Sequence, residues 1–296
     1  MAVRVLAQPR HAQARAVTGR RRLPSLKTAI IAAVAYIVAI IFILPYVEMV
    51  ITALRPQNEL LGRDYLPHHF TWSTFTNMWG SSFGLTSSVL TSLEIAGGAT
   101  LLVLIVALPA AYYTARQRFT GRWAFLLLVL ATQILQPTAL IVGIYQEFLN
   151  FNLEKISPVF SLILVNAAFN LAFSIWILNA YIGSIPVELE EAAMVDGRSR
   201  LGAMFKITIP IAMPGIVTAL VFTFIAAWNE FITALTLTTN PNQYPLTVRL
   251  DAFRGAYEVD WQHLFAVSVI ATIPVLILFG LIERRVVGGL TAGSIK

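Results

Sequence analysis

Residues 188–210 read ELEEAAMVDGRSRLGAMFKITIP, a polar segment set between long hydrophobic stretches. The contrast with its flanks makes the segment informative. The 296-residue chain is 57% hydrophobic and 12% charged, with a mean hydropathy of +0.72; a soluble domain holds roughly 45–50% apolar residues. Three of its fifteen acids fall within Glu188–Glu191. Charge clustered in the middle of so apolar a chain implies a segment that meets water or another protein.

Outward from this segment, the flanks have the length of membrane spans. A hydrocarbon core about 30 Å thick takes roughly 20 apolar residues of helix. Six stretches meet that length, at about 28–53, 85–114, 122–146, 158–182, 211–237 and 264–287. Backbone amides in lipid must be satisfied within their own segment, so these spans are helices. The alternating pattern of a membrane β-barrel is missing. The expected fold is an all-α polytopic membrane protein with six transmembrane helices, the polar segment lying between spans 4 and 5.

Charge then sets orientation. With the N-terminus placed in the cytoplasm, sixteen Lys/Arg lie inside and five outside, the latter being Arg55, Arg63, Lys155, Arg249 and Arg254. That asymmetry puts both ends in the cytoplasm. Seven of the 21 basic residues fall in residues 1–27, a basic tail that sets topology. The net charge of +6 therefore describes membrane topology, not a nucleic-acid face. Arg20-Arg21-Arg22 precedes an apolar run longer than the 7–15 residues of a signal-peptide core, and five more spans follow. The first run is expected to be a retained anchor. The chain has no cysteine, so neither disulfides nor thiolate metal sites enter the argument.

The outer connections 55–84 and 238–263 carry Tyr65, Trp72, Trp79, Tyr244, Tyr257 and Trp261, the aromatic anchors of a lipid interface. The inner segment 184–210 has more structure. Ser184-Ile185-Pro186 gives a helix start. Glu188, Glu190 and Glu191 suit the positive end of that helix. Asp196-Gly197 is a stop signal, and a second short helix begins at Arg198–Leu201 with Leu201, Met204 and Phe205 at helical spacing. Ala192 and Ala193 are expected to form a small-residue face open to close approach. An interfacial amphipathic helix is the plainer alternative, but such helices spread Lys/Arg along the polar face, whereas here acids come first and basics last.

These residues carry a resemblance. Glu191-Ala192-Ala193, three residues, Gly197, nine residues, then Ile207-Thr208-Ile209-Pro210 resembles the EAA loop of ATP-binding-cassette importer permeases, with Ile209 in place of leucine. Ser184–Glu191, Trp228-Asn229-Glu230-Phe231 and the ending Gly289–Lys296 are similar to the sugar-uptake, MalG-like branch. Asn179 departs from it, standing where many relatives carry a basic residue. The resemblance covers residues 28–296, with a core permease region of about 85–288, a coupling segment at 184–210 and a C-terminal tail at 289–296.

The resemblance implies a permease subunit of an ATP-driven importer in the cytoplasmic membrane of a bacterium or archaeon. Its implied partners are a second, MalF-like permease, a dimer of ATPase subunits and an extracytoplasmic solute-binding protein. It implies that Glu188, Glu190, Glu191, Ala192, Ala193, Asp196, Gly197, Ile207 and Pro210 contact or shape the ATPase docking site. In the tail, Thr291, Gly293 and Lys296 form a second ATPase contact. ATP and magnesium are expected on the ATPase; this chain has no G-x-x-x-x-G-K-[ST] phosphate loop and is expected to bind no cofactor and to be no enzyme. A sugar is the implied solute, and glycerol-3-phosphate or an amino sugar belongs to the same class of readings.

Ionisable and amide groups at membrane depth are costly and hence candidates for function. Asn229 and Glu230, Gln133 and Gln136 (three apart), and Asn166 and Asn170 (four apart) form the candidate path or gate, with Glu48 and Glu94 as further acids in the spans. The alternative is bonding between helices, worth about 0.6 kcal/mol on average. Two other function classes fit less well. Gly80-Ser81-Ser82-Phe83-Gly84 matches G-x-S-x-G but lacks the strand-to-helix turn of a nucleophile elbow. An ion-coupled secondary transporter would show internal repeats with interrupted helices, and it gives the EAA-like segment no role.

Overall fold

A computed structural model describes residues 25–60, 62, 67–80, 83–152, 157–255 and 258–292, with backbone alone over 283–292. The basic segment 1–24, Arg63, Tyr65, Ser81, Ser82, Lys155, Tyr257, Gly293 and Lys296 lie outside the described residues, as does the side chain of Thr291. The chain divides into two units between Tyr46 and Val47. The first contributes the opening stretch of α1 (Leu26–Leu54), apolar with Pro45 inside it. The second holds the remaining helices, beginning with the short α2 (Ser73–Asn77).

Among the described residues, five helices are long and apolar enough to cross a membrane: α1, α3 (Leu85–Arg116), α6 (Pro158–Gly183), α8 (Arg200–Trp228) and the Trp261–Ile282 part of α11 (Trp261–Ala292). A sixth is obtained if a bent pair is one span. That pair is Arg122–Ile134, which contains α4 (Arg122–Ala131), and α5 (Pro137–Asn150), meeting at 94°. The third span is thus fully broken at Pro137. Pro137 has no N–H to give to the carbonyl of Gln133, and its ring drives Gln136 out of the helical region. Gln136 is extended at ψ 136° and Pro137 opens α5.

The fifth span differs from the expected 211–237 at both ends. The short helix expected after Gly197 is the first turn of α8, joined to it through a π turn at Met204–Thr208. Pro210 cannot donate to Lys206, and the wider turn, closed by Ile209 N–H on Met204 O, sits at that point. At the far end α8 stops at Trp228, and Asn229–Phe231 separate it from α9 (Ile232–Leu237).

Helices gain no hydrophobic advantage from packing together in lipid, so van der Waals fit and interhelical bonds must hold them. The residues of α3 that face its neighbours are mainly small: Ala96, Ala99, Val103, Ala107 and Ala111, at helical spacing. They meet Ala167, Ile175, Leu178 and Ile182 of α6 and Ala212, Ile216 and Ala219 of α8. Gly215 of α8 lies against the ring of Tyr181 on α6, so that a Cβ there would overlap it. Hydroxyl and amide bonds tie the same helices, Ser174 Oγ to Thr223 Oγ1 at 3.1 Å and Asn179 Nδ2 to Thr114 Oγ1 at 2.8 Å. Asn179, the departure from the MalG-like pattern, therefore fastens α6 to α3.

A smaller cluster lies at the opposite end from segment 184–210. Ile95, Phe148, Val159, Leu162, Ala234, Leu237 and Val248 join α3, α5, α6, α9 and α10 (Leu246–Ala252) there. Arg249 of α10 donates to Ser88 Oγ at 3.0 Å and to Pro241 O at 2.6 Å, and its guanidinium lies over Tyr244. Burial pushes that guanidinium below its ordinary pKa.

Replacing Gly215 by alanine is expected to cost about 1–3 kcal/mol, because the atoms met are Cβ, Cγ and Cδ2 of Tyr181, the root of a ring rather than a flexible tip. Gly143→Ala, where a Cβ meets nothing within 4 Å, serves as the control. Thermal unfolding in detergent checks this, and equal melting of the two variants would contradict the close approach.

Candidate functional site

Segment 184–210 folds as a short connector, the helix α7 (Glu188–Val195), a glycine stop and the start of α8. The acids at the start of α7 complement the unpaired N–H groups and partial positive charge there. Its end is a Schellman motif: Gly197 N–H donates to Met194 O at 3.0 Å and Arg198 N–H to Ala193 O at 3.1 Å. Gly197 has φ +85°, a conformation that costs an L-residue roughly 1–2 kcal/mol. Ser199 then caps α8, its Oγ accepting from Gly202 N–H at 3.1 Å.

The two faces of α7 have different partners. Glu190 is 4% exposed and points into the bundle. Its Oε1 accepts from Arg116 Nε at 2.7 Å and from the Thr208 hydroxyl, and its Oε2 accepts from the Tyr112 hydroxyl at 2.9 Å. Arg116 also donates from Nη1 to Ile185 O at 2.9 Å. The side chains of the ion pair are 5% and 6% exposed. Removing one partner from such a buried pair typically costs 3–5 kcal/mol, because the other charge is left without compensation. One carboxylate thus joins α3, α7 and the π turn of α8.

This sorts one expectation and corrects another. Of Glu188, Glu190 and Glu191, expected to contact or shape the docking site, Glu190 is the inward member. Ala192 and Ala193 do not share a face: Ala193 is buried and Ala192 exposed, as the roughly 100° between successive helix residues requires. The outward surface holds Glu188, Glu191, Ala192, Asp196 and Gly197, with Pro210 exposed and Ile207 half-buried. It also holds apolar residues that the sequence reading did not single out as a surface. Val195 is 87% exposed, Leu201 65%, Phe205 63% and Leu189 44%. Leu201 and Phe205 stand at the start of a span, whereas Val195 lies on the connecting helix, outside the apolar spans.

Of the proposed path residues, Asn166 and Glu230 line one small pocket with Ser92 and Trp228, while Gln133 and Gln136 line another. Glu230 does not lie within a continuous helix. Its two carboxylate oxygens accept from Thr233 N–H at 2.7 Å and Ala234 N–H at 3.0 Å, capping the first turn of α9. The break at 229–231 creates those free N–H groups, and the acid satisfies them. Asn229 Nδ2 donates back to Ile225 O at 2.9 Å. Asn166 and Asn170 bond carbonyls of their own helix, Leu162 O at 2.9 Å and Asn166 O at 2.8 Å.

Helical spacing does not govern Gln133 and Gln136, because the chain is a 3-10 turn and then extended across that stretch. Gln133 Nε2 donates to Phe169 O on α6 at 2.8 Å. Both glutamines line a pocket of about 450 Å³ at the break, with Phe169 and Ile175 of α6 on its other wall. Glu94 faces outward on α3, in a stripe with Leu90, Leu101 and Ile105.

Tyr112, Arg116 and Thr208 were missed as functional residues. Arg116 entered the sequence argument only through its charge, and it lies 74 residues from Glu190. Its one signal is position, a basic residue at the very end of an apolar span.

Replacing Gly197 by alanine is expected to loosen the end of α7 by about 1–2 kcal/mol through its φ alone, since no side chain crowds a Cβ there. Hydrogen–deuterium exchange checks this. Amides of 188–198 should exchange roughly tenfold faster for each 1.4 kcal/mol lost, and unchanged exchange would contradict the left-handed stop.

Comparison with known proteins places this geometry. Residues 107–290 match the family described as binding-protein-dependent transport system inner membrane component. Among curated relatives, the sulfoquinovosyl glycerol transport system permease protein SmoH of Agrobacterium fabrum is 32% identical, covering 85% of this chain and 88% of its own. The trehalose/maltose transport system permease protein MalG of Thermococcus litoralis is 31% identical, covering 88% and 94%. The diacetylchitobiose uptake system permease protein NgcG of Streptomyces coelicolor is 28% identical, covering 87% and 85%. A chain from the crystal structure of a bacterial transporter that imports the acidic polysaccharide alginate shares the fold. It matches with a TM-score of 0.73 at 21% identity, covering 89% of this chain and 99% of that one. The bundle of apolar helices with its polar segment is thus a membrane transport subunit, and the chain belongs to the binding-protein-dependent transport system inner membrane components.

Proposed function

We propose that this chain is the permease subunit of an ATP-driven sugar importer and that α7 docks into a separate ATPase. The observation that carries the docking role is the outward face of segment 184–210, where Val195, Leu201 and Phe205 lie open beside Glu188, Glu191 and Asp196. Val195 lies on the connecting helix itself, and a loop that only linked two spans gains nothing from holding an apolar side chain open there above a buried ion pair. The distribution of Lys and Arg supports a cytoplasmic position for this segment and for both ends of the chain. Thr291, Gly293 and Lys296 form the second ATPase contact.

The relatives named above serve uptake of trehalose and maltose, diacetylchitobiose and sulfoquinovosyl glycerol, which supports a glycoside as the solute. The remaining subunits are a second permease, paired with this one across the solute path, and an extracytoplasmic binding protein that delivers the sugar. ATP and magnesium belong to the ATPase. Glu94 is assigned to the path or to the partner permease, since a carboxylate facing hydrocarbon is costly. Glu230 holds the break in the fifth span open, and Gln133 and Gln136 line the wall of the break in the third.

In proteoliposomes, uptake should require ATP, the ATPase and the binding protein together. Uptake by this chain alone under an ion gradient would overturn the reading in favour of a secondary transporter. Val195→Glu or Glu191→Lys should leave insertion and folding intact while lowering transport per ATP hydrolysed by about tenfold, within the usual range of coupling energies. Wild-type coupling in both variants would remove the docking role.

A further inference from the structure

We infer that Glu190 is a positioning residue, and that its bond to Arg116 carries the movement of α7 directly to α3. The inference rests on the docking role of α7. By covalent connection, α7 reaches only α6, through Ser184–Val187, and α8, through Asp196–Ser199. The helix at the centre of the packed bundle, α3, has no such connection and ends at Arg116, 74 residues before Glu190. The side chains make the link that the backbone does not.

Three features mark this link as more than filling. Both oxygens of one carboxylate are occupied, by donors from α3 and from the π turn of α8. Arg116 spends a second donor on Ile185 O, in the connector that leads into α7, so that the guanidinium spans connector and helix together. The neighbours Glu188 and Glu191 are exposed while Glu190 is buried, so the charge at this one position is enclosed by the bundle. A buried pair contributes little net stability compared with an apolar pair of the same size, and its better-attested use is to fix register. Here it fixes the register of α7 on α3. When α7 moves with the ATPase, α3 moves with it, and the α6 and α8 helices packed on α3 follow as one body.

The test uses the complete importer in proteoliposomes. The chain contains no cysteine, so Val187→Cys, at the start of α7 and outside its docking face, and Arg118→Cys, just beyond α3, give two specific spin-label sites. With Glu190 in place, the distance between them should be single and the same without nucleotide and in the ATP-trapped state. Glu190→Gln keeps the shape but presents an amide donor to a cluster of donors. It should broaden the distance distribution and raise the ATP hydrolysed per solute by about tenfold, while ATPase binding persists.

The double variant Glu190→Met, Arg116→Met removes both charges while keeping apolar packing. It should melt close to wild type yet stay uncoupled, an outcome that a purely structural pair would not give. Unchanged distances and coupling in either folded variant would overturn the proposal. So would failure of both variants to assemble, which would assign the pair to folding alone. If Val195→Glu uncouples and the Glu190 variants do not, the docking role stands and only this inference falls. If Val195→Glu has no effect, the docking role itself falls.

Discussion

Helices that share a bilayer compete with lipid tails for the same apolar contacts, so the bundle depends on close approach. In this chain the approach is made by small side chains. The alanines of α3, and Gly215 under the ring of Tyr181, let α3, α6 and α8 come near enough for short polar groups to bridge them. The Ser174–Thr223 and Asn179–Thr114 bonds exist only at that separation. The enclosed ends of α3 and α6 also make the apolar wall in which the Glu190–Arg116 pair is buried. Packing, polar ties and the ion pair are successive results of one steric condition.

Breaks in the spans follow a complementary condition. Each frees backbone groups that the bilayer cannot hydrate. At the break in the third span, Gln133 reaches the backbone of α6. At the break in the fifth span, Glu230 accepts from the two N–H groups at the start of α9. Thr247 then donates to Glu230 O at 2.8 Å, bringing α10 to the same place. Polar residues in these spans serve the backbone first.

Much of the architecture was legible because membrane insertion writes itself into composition. Apolar lengths located the spans, and the Asp196-Gly197 stop was visible in two residues because only glycine accepts its φ without strain. The interruptions were less legible. Hydropathy over 211–237 is continuous, and it cannot register that Glu230 gains more from capping a new turn than from extending an old one. The site was read in part. Spacing identified the segment, but three acids within four positions look alike in sequence. Which of them is buried depends on Arg116 and Tyr112, whose helix is brought there by packing. Long-range pairing of this kind leaves no local pattern.

The π turn at Met204–Thr208 gives the motif's spacing a physical meaning. Such a turn holds one residue more than an α turn, and it brings the Thr208 hydroxyl onto Glu190. Removing one residue between Gly197 and Ile207 would let the helix close into ordinary α geometry with its flanks still in phase, whereas adding one would exceed what the wide turn already absorbs. Everything on the N-terminal side of the turn would then rotate by about 100° relative to the span. Leu201 and the connector behind it would turn against the Glu190–Arg116 pair that holds α7 on α3. The nine residues between Gly197 and Ile207 are in this sense a gauge length, as much a part of the site as the side chains mounted on it.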